Sequence, residues 1–238
     1  MIPQRDSLKQ ACLVSNLLYD RGLRVFPDGT TRITVERDPV PRYAKTGQGA
    51  YLEDVDGQRL LDLNNNFTTL IHGHAYAPII EAVSSQLASG TCFANPTEHE
   101  INLAELLIGR IPSVEHVRFV NSGREAVMFA IKAARAVTGK PGIARIEGSF
   151  HGAYDWAETG QAGMPSTWGP ADNPAPVPLY AGVPATVADD VLVLRLNDVG
   201  GLQRLEDAAD RLSCVLIDPM PSRAGLIAAD PEYLKALA

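Results

Sequence analysis

His116-Val117-Arg118-Phe119-Val120-Asn121-Ser122-Gly123-Arg124-Glu125-Ala126 reads as a short buried strand that breaks at a small polar turn and re-enters as a helix. Val117, Phe119 and Val120 favour extended backbone, Ser122 and Gly123 permit a tight reversal, and Val127, Ile131, Ala134 and Val137 recur at helical spacing after Glu125. Backbone N–H groups at such a helix start, together with the partial positive charge of the helix dipole, suit a phosphate monoester. The same residues also make an ordinary N-capped helix with Ser122 as the cap, so the neighbouring loops have to decide between the two readings.

Downstream, 142–146, 191–194 and 214–217 are apolar runs of strand length, and helical spacing fills 201–212 and resumes near Asp230-Pro231. Continuous apolar strands alternating with helices define an α/β fold with a mostly parallel sheet. Three loops then follow the carboxyl ends of expected strands, at 121–124, 148–152 and 218–225, the edge at which open α/β sheets bind ligands. Phe150 offers an aromatic face and His151 an imidazole beside it; with the anion cup at Ser122, this outlines a phosphorylated flat cofactor. Six prolines from Met164 through Pro184 mark a long irregular excursion of the kind that serves a site or an interface.

Upstream of the central stretch, 7–23 has helical spacing with Gly22 at its end, and 31–35 is compatible with extended backbone. Two short strands, 50–55 and 59–63, are joined across Asp56-Gly57, a dipeptide suited to a tight hairpin. A polar loop at 64–73 precedes a helix at 78–89 and a second helix that follows Thr97 and runs through 111, with Glu100 completing a capping box; their expected buried faces are Ile79, Ile80, Val83 and Leu87, then Ile101, Ala104, Leu107 and Ile108. Arg32 and Arg42 could each fork onto a substrate carboxylate. His72 and His74 lack a third ligand at zinc-like spacing, which favours structural roles. Ser122 is not in a GxSxG elbow, and neither GxGxxG nor GxxxxGK[ST] occurs.

The 238 residues are 45% hydrophobic, enough to bury a sizeable core, and carry a net charge of -7 without a basic block. That balance argues for small metabolites as partners and against nucleic acid or an anionic membrane surface. No window reaches the ~20 apolar residues of a membrane span. Three widely spaced cysteines, Cys12, Cys92 and Cys214, fit reduced thiols in a cytoplasmic protein.

Four motifs in order, 49–57 (GAYLEDVDG), 72–75 (HGHA), 121–126 (NSGREA) and 150–152 (FHG), resemble the class III aminotransferases that use pyridoxal 5'-phosphate. The likeness runs from about Phe26 onward and is nearest to the branch with glutamate-1-semialdehyde aminomutase and β-amino-acid aminotransferases. It implies a fold type I α/β protein: a mostly parallel sheet with helices on both faces, incomplete within this chain, plus a small N-terminal antiparallel segment. Residues 1–75 would form an arm and small-domain segment, and 76–238 the first part of the large cofactor domain. Ser122, Gly123 and Arg124 would hold the cofactor phosphate, Phe150 would stack on its ring and His151 would support it. Arg124 stands where the family usually has threonine.

The resemblance also places Arg32 at a substrate carboxylate and Phe67 at a pocket wall, with an amino acid, amino-aldehyde or keto acid as substrate and a homodimer as the assembly. The family's Schiff-base lysine belongs to a segment beyond Ala238, and none of Lys9, Lys45, Lys132, Lys140 or Lys235 stands in its context. The activity implied is amino-group transfer completed by that missing part. The alternatives are a 2,1-aminomutase or a non-catalytic piece of the same fold.

Overall fold

The computed structural model of the chain describes residues 12–238, which pack as two compact units divided between Glu100 and Ile101. Within the first unit, helix α1 (Leu13–Gly22) is capped from a distance: the Asp56 carboxylate accepts from the Val14 and Ser15 amides at 2.7 and 3.2 Å. The part of the expected first helix before Cys12 lies outside the described residues. Asp56 belongs to the turn between β2 (Tyr51–Asp54) and β3 (Arg59–Leu61), where Gly57 takes the left-handed φ of +80° that favours glycine. Strand β1 (Ala44–Gln48) pairs antiparallel with β2 and completes a three-stranded sheet in the order β1-β2-β3.

Residues 31–35 do not extend as their composition suggests. The Arg37 guanidinium donates to the carbonyls of Asp28, Arg32, Ile33 and Val35 and to Thr30 Oγ1, which draws 28–35 into turns. Helix α2 (Ala77–Leu87) forms as expected, with Pro78 in its first turn, but Ile79, Ile80, Val83 and Leu87 are all more than half exposed. Helix α3 (Glu98–Arg110) carries the chain across the division; Glu100 accepts from the Thr97 amide at 2.7 Å, the expected capping contact, and Ile101 on its apolar stripe is also exposed. Periodicity specified both helices, but a stripe is buried only where another element covers it.

The second unit is built on three parallel strands, β4 (Gly142–Ile146), β5 (Val191–Leu194) and β6 (Leu212–Leu216), in the order β5-β4-β6. Helix α4 (Gly123–Thr138) precedes β4, one-turn α5 (Asp155–Glu158) and α6 (Ala185–Asp190) lie between β4 and β5, α7 (Leu202–Asp207) lies between β5 and β6, and α8 (Pro231–Leu237) follows. Ile131, Ala157 and Val187 pack with Ile143, Val191 and Val193 on one face of the sheet. On the opposite face Leu202, Leu205 and Tyr233 pack with Ala144, Ile146, Leu192 and Leu194. The parallel α/β sheet is the one read from the alternating apolar runs, and helices cover both its faces, as the family resemblance implied.

Two expectations fail here. Residues 116–120 are not a strand: they run up to α4 without pairing to any described strand, and Phe119 is 42% exposed. Strand propensity needs a hydrogen-bonded neighbour to become a strand, and none of the described strands lies alongside. Helix α7 stops at Asp207, short of the expected Leu212, because Leu212 opens β6.

Ile131 is fully buried whereas Val137, one of the four apolar residues on the same expected stripe, is 87% exposed. Ile131→Ala should therefore cost about 2–5 kcal/mol of unfolding free energy and Val137→Ala about 0.5 kcal/mol or less, as read from denaturant midpoints at constant slope.

Candidate functional site

The start of α4 is capped in a way that leaves three amides over. Ser122, in extended backbone at φ -153°, accepts from the Glu125 amide through Oγ at 3.3 Å, and Glu125 Oε2 turns back to accept from the Asn121 amide at 2.7 Å. The amides of Ser122, Gly123 and Arg124 have no acceptor among the described residues. An ideal Cβ built on Gly123 meets no atom within 4 Å, so the space beside this turn is open. Free N–H groups at the positive end of a 16-residue helix are an arrangement that suits an anion.

The loop after β4 comes to this turn. A Cβ on Gly152 would lie 2.9 Å from Arg124 Cγ and 3.0 Å from Arg124 Cα, and Gly152 has φ +102°, so only glycine lets the two segments meet this closely. Phe150 and His151 are thereby held beside the α4 start. The third loop joins them: the Arg223 guanidinium lies 5.6 Å from the centroid of the Phe150 ring, and a Cβ on Gly148 would touch Ala224 Cβ at 3.6 Å. All three loops picked out at strand ends thus gather at one edge of the second unit. Phe150 keeps 44% of its surface exposed, which leaves aromatic area for a ligand.

Sequence reasoning missed Arg145. It is fully buried in β4, on the sheet face shared with Ile143, and donates to the carbonyls of Ile146, Ser149, Ala157 and Thr159. Burial lowers its pKa to about 10, and the Glu158 charge opposes the shift, so the guanidinium stays protonated at neutral pH. The available signal was a single charge inside an otherwise apolar strand, Gly142-Ile143-Ala144-Arg145-Ile146. Arg223 was also missed; it sits in an irregular segment with no periodicity to mark it.

His151 Nε2 is buried and has no partner among the described residues. Burial first, and the Arg145 charge second, push its pKa from 6.5 down to about 4, with Asp218 opposing. Between those two values the folded chain binds fewer protons than the unfolded chain. The stabilising contribution is therefore complete above about pH 6.5 and is lost as pH falls toward about 4. Denaturant titrations across that window should show unfolding free energy falling with acidity in the wild type and falling less steeply in His151→Gln; identical slopes would refute a neutral buried imidazole.

In the first unit, Arg32 and Phe67 meet although they are far apart in sequence. The guanidinium lies 5.8 Å from the Phe67 ring centroid and donates to Asn66 Oδ1 at 2.9 Å. Asn65, Asn66, Phe67 and Thr68 form one left-handed turn, with φ between 49° and 64°. Left-handed backbone costs roughly 1–2 kcal/mol for each non-glycine residue, so the turn holds strain next to the arginine. A cavity of about 490 Å³ opens beside Arg32, lined also by Arg21, Phe26, Arg42 and Tyr43. A smaller one of about 230 Å³ in the second unit is lined by Glu147, Gln161, Trp168 and Val177. Neither cavity includes the Ser122 turn, which lies open at the surface of its unit and is distinguished by its unbonded donors and not by an enclosed volume.

Arg42, the second arginine considered for a carboxylate, is committed to Asp54 and Gln58 at 2.9 Å each. His72 stacks on Tyr76 with ring centroids 4.5 Å apart, and His74 Nε2 lies 2.7 Å from Asp62 Oδ2. Both have structural partners, and no group of three metal-ligating side chains occurs among the described residues. No helix among the described residues is long and apolar enough to cross a membrane.

The second unit thus gathers the capped start of α4 and an exposed aromatic face at the carboxyl edge of its parallel sheet, the edge at which open α/β sheets bind ligands. The sequence profile of the aminotransferase class-III family matches residues 33–238, and the chain belongs to that family. It is 37% identical over 224 residues to glutamate-1-semialdehyde 2,1-aminomutase of Methanothermobacter thermautotrophicus, covering 94% of this chain and 51% of that protein. Among solved structures it resembles an omega-transaminase from Sphaerobacter thermophilus, with TM-score 0.89 and 50% identity, and a transaminase with pyridoxal phosphate bound, with TM-score 0.87 and 43% identity. Each of those comparisons covers 94% of this chain and 51% of the other. The chain spans about half the length of the curated relatives it matches.

Proposed function

We propose that the protein carrying this chain transfers amino groups with pyridoxal 5'-phosphate, between an amino acid and a keto acid. The observation that carries the reading is the contact of Gly152 with Arg124, which brings a cup of three unbonded amides against the loop holding Phe150 and His151. Those residues fit the cofactor: backbone donors and a guanidinium for a phosphate dianion, an exposed aromatic face for a pyridine ring, and an unpartnered buried imidazole nitrogen beside them. Family membership and the bound cofactor of the 43%-identical transaminase add support.

In this reading the Ser122, Gly123 and Arg124 amides anchor the phosphate, and the Arg124 side chain supplies a charge where the family commonly has a neutral threonine. Phe150 covers one face of the ring and keeps water from it. His151, neutral at working pH, provides a polar contact without adding positive charge to the cup. When bound, the cofactor carries the amino group and draws electrons from the carbon that loses its proton. Arg32 forks onto the substrate carboxylate, and Phe67, which the cation already touches, forms an apolar wall. Residues 1–75 act as arm and small-domain segment and 76–238 as part of the cofactor domain.

Cytoplasmic location and a homodimer belong to the same proposal. The free thiols of Cys12, Cys92 and Cys214 support a reducing compartment. Sedimentation of the purified protein as a monomer would remove the dimer. The names of the curated relatives favour a second reading, a 2,1-aminomutase. Product analysis separates the two: a mutase rearranges its substrate without a keto-acid acceptor, and a transaminase turns over only with one.

The cup is tested by Gly123→Pro. Proline lacks the N–H but suits the first helical position, and the extended Ser122 before it is compatible with proline, so the helix start should survive. Losing one donor to a charged phosphate should weaken pyridoxal phosphate binding about tenfold with little change in thermal unfolding; unaltered affinity would sink the assignment. Arg32→Gln should raise KM for the amino acid about tenfold and leave cofactor affinity as it was.

A further inference from the structure

Arg145 presents an unusual solution to burying a charge. Its side chain is wholly removed from solvent, yet no carboxylate among the described residues forms an ion pair with it. Its five N–H groups are instead matched by five contacts to main-chain oxygens: Nε and Nη2 to Ile146, Nη2 also to Ser149, and Nη1 to Ala157 and Thr159. These oxygens come from the two ends of one excursion. Ile146 and Ser149 lead directly into Phe150-His151-Gly152, and Ala157 and Thr159 close the segment that follows.

A planar fork whose donors point in fixed directions can hold two stretches of backbone at a set distance; an ammonium, with three donors on one atom, cannot span them. The segment so clamped contains the aromatic face and the glycine that touches Arg124. We propose that Arg145 is the positioning residue of this site: by tying the carbonyls on both sides of Phe150-His151-Gly152 it fixes the Phe150 ring in register with the amides at the start of α4. The inference rests on the cofactor reading given above for what the register serves, but the clamp itself is independent of any ligand.

Two substitutions in the whole polypeptide that carries this chain, Arg145→Met and Arg145→Lys, test the clamp. Methionine keeps apolar bulk and removes charge and donors; lysine keeps the charge and loses the fork. Both should accelerate amide hydrogen exchange across 147–153 by about tenfold or more while β4, β5 and β6 stay protected. Both should weaken pyridoxal phosphate binding about tenfold, and binding of inorganic phosphate, which needs only the α4 amides, should stay within about twofold.

Unchanged exchange with unchanged cofactor affinity in the lysine variant would overturn the proposal. So would equal losses of both ligands, which would make Arg145 a general support of the fold. If the wild type binds inorganic phosphate but no pyridoxal phosphate, the cofactor reading fails, and the exchange measurement alone still decides whether Arg145 sets the loop. Should methionine prevent folding, the lysine variant carries the comparison.

Discussion

A parallel strand flanked on both sides and covered on both faces has nowhere to put an unsatisfied charge, and β4 contains one. The guanidinium of Arg145 resolves this by donating to carbonyl oxygens of Ile146 and Thr159, at the two ends of the loop that leaves the sheet. Two needs are met together: the cation is solvated by protein dipoles, and irregular backbone beside the sheet is given partners. The geometry of 146–159 follows from that constraint, and with it the position of Phe150, His151 and Gly152. Leaving either side of such a cluster unpaired is costly, so the arrangement behaves as a unit.

The second constraint is the helix start at Ser122. Capping consumes one hydroxyl acceptor and one carboxylate, yet the reciprocal contact reaches Asn121 and not Ser122 itself, so three consecutive amides remain for a ligand. Gly152 then brings the clamped loop against Arg124. A phosphate and a ring that are joined in one molecule require an anion cup and an aromatic face at a fixed separation, which neither element defines by itself.

The first unit shows a separate concentration of polar side chains. Arg37 ties residues 28–35 into turns through their carbonyl oxygens, and Arg32 is left facing Asn66 and Phe67 on a strained left-handed turn. Strain of this kind persists only where the surroundings hold it, and here it turns an aromatic ring toward a cation. The family comparisons extend over both units and over about half the length of the matched relatives.

Much of the architecture was legible from residues alone. The alternation of apolar runs specified an α/β fold with a mostly parallel sheet, Asp56-Gly57 specified a hairpin, and the polar turn at Ser122 specified a capped helix start, because period, turn chemistry and capping are local properties of the chain. The ordered motifs around Tyr51, His72, Ser122 and Phe150 pointed to the family. What periodicity could not decide was burial and partnership: 116–120 has strand residues but no neighbouring strand, and α2 has an apolar stripe that no described element covers. Long-range contacts alone decided that Gly152 meets Arg124, that Arg32 meets Phe67, and that the lone charge in β4 is a clamp. Each of these depends on residues far apart in the chain, and a linear pattern holds no record of which distant groups will share a hydrogen bond or a van der Waals contact.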